Sequence, residues 1–342
     1  MSDSYDALLV VSFGGPEGPD DVIPFLENVL RGKNVPRQRM LQVAEHYQHF
    51  GGVSPINGQN RELIAALKIE LANHQVEMPV YWGNRNWHPL LADTLRQMQN
   101  DGIQRSLAFM TSAYSSYSGC RQYREDIERA QREVGAEDLQ IDKVRVFYNH
   151  PGFVLPMADR LRAALAEIPA DRHATTHIVY TAHSLPLSMA AGCRYTAQLE
   201  ETCRLVMAQL ADSFSWKLVY QSRSGPPTQP WLEPDVCDYL RDVHETGQHT
   251  DVVVVPIGFI SDHMEILFDL DTEACELCNE IGLGMVRAST VGTDPRFVSM
   301  IRELVLERTA AASREYLGEQ GASHDMCPQD CCPSGRPAGR PR

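Results

Sequence analysis

Two segments carry residues whose types and spacing suit proton and metal chemistry. The first is Thr181-Ala182-His183-Ser184-Leu185-Pro186, which closes the apolar run from His177 to Thr181. An imidazole at the mouth of a strand, before a Pro-bounded turn, can accept a proton near neutral pH or ligate a borderline divalent metal, and its neighbours decide which. A histidine there could equally do no more than satisfy a local backbone hydrogen bond. The second segment runs from Pro256 to Glu265 and on to Asp269 and Glu273, turning from strand to helix near Ser261 or Asp262, either of which suits a helix cap. Glu265, Asp269 and Glu273 recur every four residues, which predicts an acidic stripe on one helical face. Like charges so spaced cost roughly a few tenths of a kcal/mol per pair. A divalent cation supplies a reason for them; the plain alternative is a solvated acidic face. Glu265, between apolar Met264 and Ile266, is expected to be partly desolvated with a raised pKa. His263 is expected to be a structural residue at the helix start.

Other polar clusters follow apolar runs. Gly51-Gly52-Val53-Ser54 forms a tight turn before a helix, where backbone N–H groups and the Ser54 hydroxyl could hold a carboxylate. Gly83-Asn84-Arg85-Asn86-Trp87 and the stretch from Ser112 to Ser118, which includes Tyr114 and Tyr117, suit the floor of a pocket for a large, flat, anionic ligand. Gln221 to Pro227 and Trp231 to Pro234 are expected to shape a wall of the cleft. Arg31, Lys33, Arg37 and Arg39 form a basic patch free of acids.

The elements that must position these residues are legible as a rhythm. Short β-type runs at Ala7 to Phe13, Pro79 to Trp82, Ser106 to Ser112, Val144 to Tyr148, His177 to Thr181, Leu218 to Gln221 and Val252 to Phe259 alternate with amphipathic stretches at Glu62 to Ala72, Leu90 to Gln99, Tyr123 to Val134, Leu155 to Ala166 and Leu199 to Ala211. That pattern predicts an α/β fold with parallel sheet, and ligands in such sheets bind beyond the carboxyl ends of the strands. Tyr148-Asn149-His150-Pro151-Gly152 interrupts the rhythm, with a similar series on either side, so a lobe boundary is expected near 150. From Gly318 onward Gly, Ser, Pro and Arg dominate, which predicts a tail unless something pins it.

The chain has 342 residues, 43% apolar and 22% charged, enough for two compact lobes. Its formal charge of −14, from 31 basic and 45 acidic residues, repels a nucleic-acid backbone, so no nucleic-acid partner is expected. No apolar run approaches the roughly 18 residues of a transmembrane helix, and the first residues do not read as a signal peptide; a cytoplasmic protein is expected. Nine cysteines without regular spacing argue for metal binding or burial over a disulfide framework.

Taken together, TAHSLP, QSRSGPP with PWLEPD, and PIGFISDHMEILFDLD resemble the ferrochelatase family, in order and at the expected separations. The likeness extends from about Asp6 to about Leu306, and SFGGPEGP, LRGKNVP, HYQHFGGVSPING and YWGNRNWHP look most like the actinobacterial-type members that act on coproporphyrin III. The resemblance implies a chelatase-like pair of Rossmann-like lobes, 1–150 and 151–290, with a porphyrin cleft between them, a C-terminal helix within 291–317 that packs back on the first lobe, and a Cys-containing tail, 318–342. It implies a lyase of haem biosynthesis that inserts Fe(II) as substrate, with coproporphyrin III favoured over protoporphyrin IX, and haem-pathway enzymes and an iron donor as partners. His183 is implied to accept a pyrrole proton or help deliver metal, Glu265 to act with it, and Asp269 and Glu273 to continue a metal path. Ser54 and the loop of Arg31 and Lys33 correspond to the propionate-binding region, and Phe13 to a position facing the macrocycle; Asn86 and Tyr117 are further substrate-side candidates. Many members have Tyr where this chain has Phe13, and some have His where it has Asn86, so metal contacts from those positions are not carried over. Cys327, Cys331 and Cys332 resemble a C-terminal cluster that binds a 2Fe–2S centre, with Cys120 matching the fourth ligand. The pair Cys275 and Cys278 is expected to be structural and mid-helix. A chelatase for another metal or tetrapyrrole, and a porphyrin or haem carrier without turnover, are the competing readings.

Overall fold

The computed structural model describes residues 4–33, 35–225 and 228–335. Pro226 and Pro227 of the expected cleft wall, and residues 1–3 and 336–342 of the expected first lobe and tail, lie outside them. The first half runs β1 (Ala7–Ser12), α1 (Val22–Val29), α2 (Arg37–His49), α3 (Ile56–Asn73), β2 (Val80–Asn84), α4 (Leu91–Asn100), β3 (Arg105–Met110), α5 (Gln122–Val134) and β4 (Gln140–Lys143). After α6 (Pro151–Leu165), the second half runs β5 (Thr176–His183), α7 (Leu187–Ala190), α8 (Tyr195–Met207), β6 (Ser215–Gln221), α9 (Val236–Thr246), β7 (Asp251–Val255), α10 (Met264–Phe268), α11 (Cys275–Ile281) and β8 (Gly284–Arg287), and α12 (Pro295–Thr309) follows. The two parallel sheets have the same order, β2-β1-β3-β4 and β6-β5-β7-β8. Strands β1 and β5 lie inside their sheets with helices on both faces, which is why Ala-Leu-Leu-Val-Val and Ile-Val-Tyr-Thr-Ala are continuous buried runs.

The expected strand at Val144 to Tyr148 is not one. The fourth strand of that sheet is β4, and the Val144 amide makes the last bond toward Ala108, after which the chain leaves the sheet. Val144, Val146, Phe147 and Tyr148 are apolar because they fill the core, whereas β4 reads Gln-Ile-Asp-Lys because an edge strand is half solvated. Strand β8, also an edge, gave no apolar run. Strand β7 stops at Val255 because Pro256 has no N–H for the ladder. Cys275 and Cys278 lie within an unbroken helical stretch from Met264 to Ile281, as expected, directly after a π-helical turn over Asp269–Ala274.

One continuous core runs through both halves, from Leu8 and Phe109 to Tyr180 and Val253, with α12 contributing Phe297, Ile301 and Leu304. Helix α12 packs on α6 and on α3. The expected loose tail is pinned as far as it is described: Arg145 donates to the Glu315 carbonyl at 2.7 Å, the Leu317 amide to Asn149 at 2.8 Å, and Asn149 to the Gly321 carbonyl at 2.9 Å. Among the described residues no helix is long and apolar enough to cross a membrane.

Candidate active site

His183 is the last residue of β5, in register with Gln221 at the end of β6. Its Nδ1 lies 2.6 Å from the Ser184 carbonyl, a contact that requires the proton on Nδ1, and its Nε2 faces Glu265 Oε1 at 3.6 Å. Glu265 is set at the first turn of α10, which His263 caps by accepting the Glu265 amide on Nδ1 at 3.2 Å. His263 thus has the structural place expected of it. The His183 and Glu265 side chains are 34% and 44% exposed, so the pair is within reach of solvent rather than sealed in a core. Tyr195 donates to the His183 carbonyl at 3.0 Å and fixes the strand end from behind.

Burial opposes charge on His183, but Glu265, the Ser184 carbonyl and Asp269 outweigh it and hold the imidazole at about 9. Burial opposes charge on Glu265 as well, yet the His183 cation, His263 and the Ser222 hydroxyl pull that carboxyl down to about 2. The expected upward shift of Glu265 is therefore reversed: its desolvation is real, but a cation faces it. The upward shift falls on Asp269, raised to about 7 by burial and by Glu265, against hydrogen bonds from Ser222 and Gln221. Gln221 Nε2 reaches both the Glu265 carbonyl and Asp269 Oδ2 at 3.2 Å, and Ser222, in a left-handed conformation at φ 61°, donates to the same Asp269 oxygen. A π-helical turn over Asp269–Ala274 separates α10 from α11, so the acidic residues do not sit on one continuous α-helix. They remain a coupled row nonetheless, for Asp269 feels both Glu265 and Glu273. Glu273 is itself pushed up by burial and by Asp235.

The first half holds this site from the other side. Tyr114 donates to the Ile257 carbonyl at 2.8 Å, the Asp262 amide donates to Gln59 at 2.9 Å, and the His46 ring on α2 stacks on Phe268 at 3.7 Å. Phe13, directly after β1, is 36% exposed and edge-on to Phe25 at 6.2 Å, which meets Tyr47 at 5.7 Å and Trp87 at 6.3 Å. Arg85 lies over the Phe13 ring at 5.6 Å and is itself locked to Asp126 at 2.5 Å. Asn86 is turned to Phe13 and Asn28: its Nδ2 donates to the Phe13 carbonyl at 3.3 Å, and its own carbonyl accepts from Asn28 at 3.2 Å. Asn28 accepts from exposed Arg31 at 2.5 Å, so a chain of polar contacts joins the basic loop to Phe13; Lys33 lies in the same exposed turn. Ser54 is largely buried and packs close to Gly15. Tyr117 donates to Glu125 at 2.9 Å, beside the cysteine region.

Sequence reasoning missed Gln221 and Ser222 as holders of Asp269, although both stand at a strand end, where the search was made. Tyr195, Asn28 and His46 act through contacts between separate elements, for which local spacing carries no signal.

A second cluster joins the tail to the first half. Cys120, buried in a π-helical turn over Tyr117–Arg121, and Cys327 influence each other's titration, and Cys331 Sγ lies 3.5 Å from Cys332 Sγ. The partnership pushes the Cys120 thiol up and pulls Cys327 down to about 4. Arg121 and Arg124 donate to the carbonyls of Cys331 and Gln329, and Lys143 also favours thiolate here. No disulfide joins the nine cysteines.

Comparison with known proteins gives a match over residues 5–309 to the family model described as ferrochelatase. A ferrochelatase of Rhodopirellula baltica is 59% identical, the match covering 96% of this chain and 93% of that one. A coproporphyrin III ferrochelatase of Streptomyces griseus is 51% identical, covering 97% and 94%, and one of Nocardia farcinica 48%, covering 99% and 100%. Among solved structures, SirB from Bacillus subtilis with Fe3+ shares the fold at a TM-score of 0.55 and 12% identity, covering 90% of this chain and 96% of that one.

Proposed function

The chain belongs to the ferrochelatase family and is an enzyme that inserts Fe(II) into a porphyrin in haem biosynthesis, and from that premise we propose that its porphyrin is coproporphyrin III and its chemical pair His183 and Glu265. The observation that carries the pair is the fixed imidazole: Nδ1 is committed to the Ser184 carbonyl, so only Nε2 can take up a proton, and it faces Glu265 at 3.6 Å. Metal insertion releases two pyrrole protons and strips water from Fe(II), which calls for a base and a carboxylate at one face of a shaped cleft.

Without substrate His183 is a cation, carrying a proton on Nε2 besides the one fixed on Nδ1. The Nε2 proton must leave before that nitrogen can receive one from a pyrrole nitrogen. Asp269, at about 7, is the acidic neighbour that gains and loses a proton near neutrality, so the row Glu265, Asp269, Glu273 carries protons outward and presents oxygens to Fe(II) on its way in. Phe13 and the rings behind it offer an apolar wall for the macrocycle, and Asn86 with Asn28 keeps that wall in register with Arg31. Arg31 and Lys33 are exposed cations suited to propionates, and coproporphyrin III carries more of these than protoporphyrin IX.

The four thiols Cys120, Cys327, Cys331 and Cys332 suit a 2Fe–2S centre: Cys331 and Cys332 touch at 3.5 Å, Cys120 and Cys327 influence each other's titration, the setting is electropositive, and such a centre takes four protein ligands. When bound, such a centre supplies one-electron redox capacity and a staple for the tail. A cytoplasmic location and an iron-donating partner belong to the same reading.

Anaerobic Fe(II) insertion with each porphyrin tests the substrate assignment. The expected result is a higher kcat/KM for coproporphyrin III, with the advantage reduced in Arg31→Ala/Lys33→Ala. Equal turnover of protoporphyrin IX, unchanged in that variant, contradicts it.

A further inference from the structure

One guanidinium grips both ends of the segment that carries Glu265 and Asp269. Arg287 is the last residue of β8, in register with Val254 of β7. Its Nε and Nη2 donate to the two carboxylate oxygens of Asp271 at 2.5 and 3.0 Å, and its Nη1 donates to Asp262 Oδ1 at 3.3 Å. Asp262 directly precedes His263, whose ring caps α10, and Asp271 lies inside the π-helical turn over Asp269–Ala274. We propose that Arg287 is a positioning residue for metal insertion: acting through Asp262 and Asp271, it sets Glu265, Asp269 and Glu273 in the arrangement that receives Fe(II).

The segment needs such a clip because regular helix does little to fix it. Helix α10 is only five residues long, and the turn that follows is π-helical, with an extra residue in the turn that rotates everything after it relative to everything before. The angle between Glu265 and Glu273 therefore depends on what holds the turn. Inside it, the Thr272 hydroxyl donates to the Leu267 carbonyl at 3.1 Å; from outside, the hold is the two-pronged contact of Arg287 with Asp271. A planar fork on a carboxylate resists rotation in a way that a single ammonium contact cannot. At the other end, Asp262 is a junction of three elements: its amide donates to Gln59 of α3 at 2.9 Å, and its Oδ1 also accepts from Thr290 at 3.2 Å. Arg287, Asp262 and Asp271 are 19%, 22% and 33% exposed, so water screens this cluster less than it screens a surface pair. Arg287 thus does at the carboxyl end of β8 what Gln221 does at the end of β6, which is to fix the carboxylate row from behind.

The inference rests on reading the acidic row as the path that presents oxygens to Fe(II), and Asp269→Asn tests that reading beside it. Steady-state anaerobic Fe(II) insertion by the full-length protein, into a porphyrin that the wild type turns over, gives KM for each substrate in Arg287→Gln, Arg287→Lys, Asp271→Asn and Asp269→Asn. Arg287→Gln and Asp271→Asn should each raise KM for Fe(II) on the order of tenfold while KM for the porphyrin stays within about twofold. Arg287→Lys, which keeps the charge and loses the fork, should fall between wild type and Arg287→Gln. A residue that merely supports the fold lowers kcat through the loss of active protein and leaves both KM values as they were. That result for Arg287→Gln, with KM for Fe(II) raised in Asp269→Asn, overturns the role of Arg287 alone; an unchanged KM for Fe(II) in Asp269→Asn overturns the reading of the row and the role with it. If Arg287→Gln does not fold, Arg287→Lys and Asp271→Asn decide, and a wild-type KM for Fe(II) in both contradicts the proposal.

Discussion

At the scale of single residues, the account turns on where one proton sits. His183 is held at about 9 and Glu265 at about 2, so the ion pair is complete between them. The sign follows for stability: the histidine's contribution is full below 6.5 and lost as pH rises through about 9, and the glutamate's is full above 4.5 and lost as pH falls through about 2. Both groups are open to water, so the gain in stability is small. Imidazole NMR should find His183 titrating well above 6.5, and Glu265→Gln should move it down, since burial then acts without the carboxylate; an unmoved titration would break the link between the two residues. His183 and Glu265 could be singled out from sequence because each follows an apolar run, where α/β sheets place ligands. Their charge states could not, because Glu265 looks desolvated from its neighbours in the chain and meets its cation only after β5 and α10 are brought together.

At the scale of elements, the loop after β7 must lie flat on β5 for Glu265 to reach His183. Gly258 permits this: its amide bonds the Thr181 carbonyl at 3.0 Å, and a Cβ there would lie 2.7 Å from Ala182 Cα, one residue before His183. Gly258→Ala should therefore lower stability by about 1–3 kcal/mol and depress metal insertion with it. Urea unfolding with a parallel assay checks this, and a variant with wild-type stability and activity would show the approach to be slack. The inner strands were legible because burial on both faces leaves unbroken apolar runs. Edge strands β4 and β8 were not, being half solvated, and the apolar run at Val144 to Tyr148 mimicked a strand while filling the core between the sheets. The break of the acidic helix by a π-helical turn left no mark in the four-residue spacing.

At the scale of the whole molecule, the two sheets share one core, and α12 ties them through a buried ion pair: Arg145 donates to both Glu307 oxygens at 2.7 and 2.8 Å, with neither side chain more than 1% exposed. Glu307→Ala leaves that guanidinium buried and unpaired and should cost about 3–5 kcal/mol; chemical denaturation reads it, and a loss under about 1 kcal/mol would mean that Arg145 finds another partner. Because Arg145 also holds the Glu315 carbonyl, the same change should loosen the tail and expose its cysteines to thiol reagents. Its pinning was illegible because it is made by side chains far away in the chain, on Arg145, Asn149 and Arg194. The central claim, that His183 and Glu265 carry out metal insertion, is tested most directly by single-turnover anaerobic Fe(II) insertion into bound coproporphyrin III in wild type and His183→Ala. The account predicts porphyrin binding within a few-fold of wild type and a rate lowered by about 100-fold or more; an insertion rate close to wild type in the variant would contradict it.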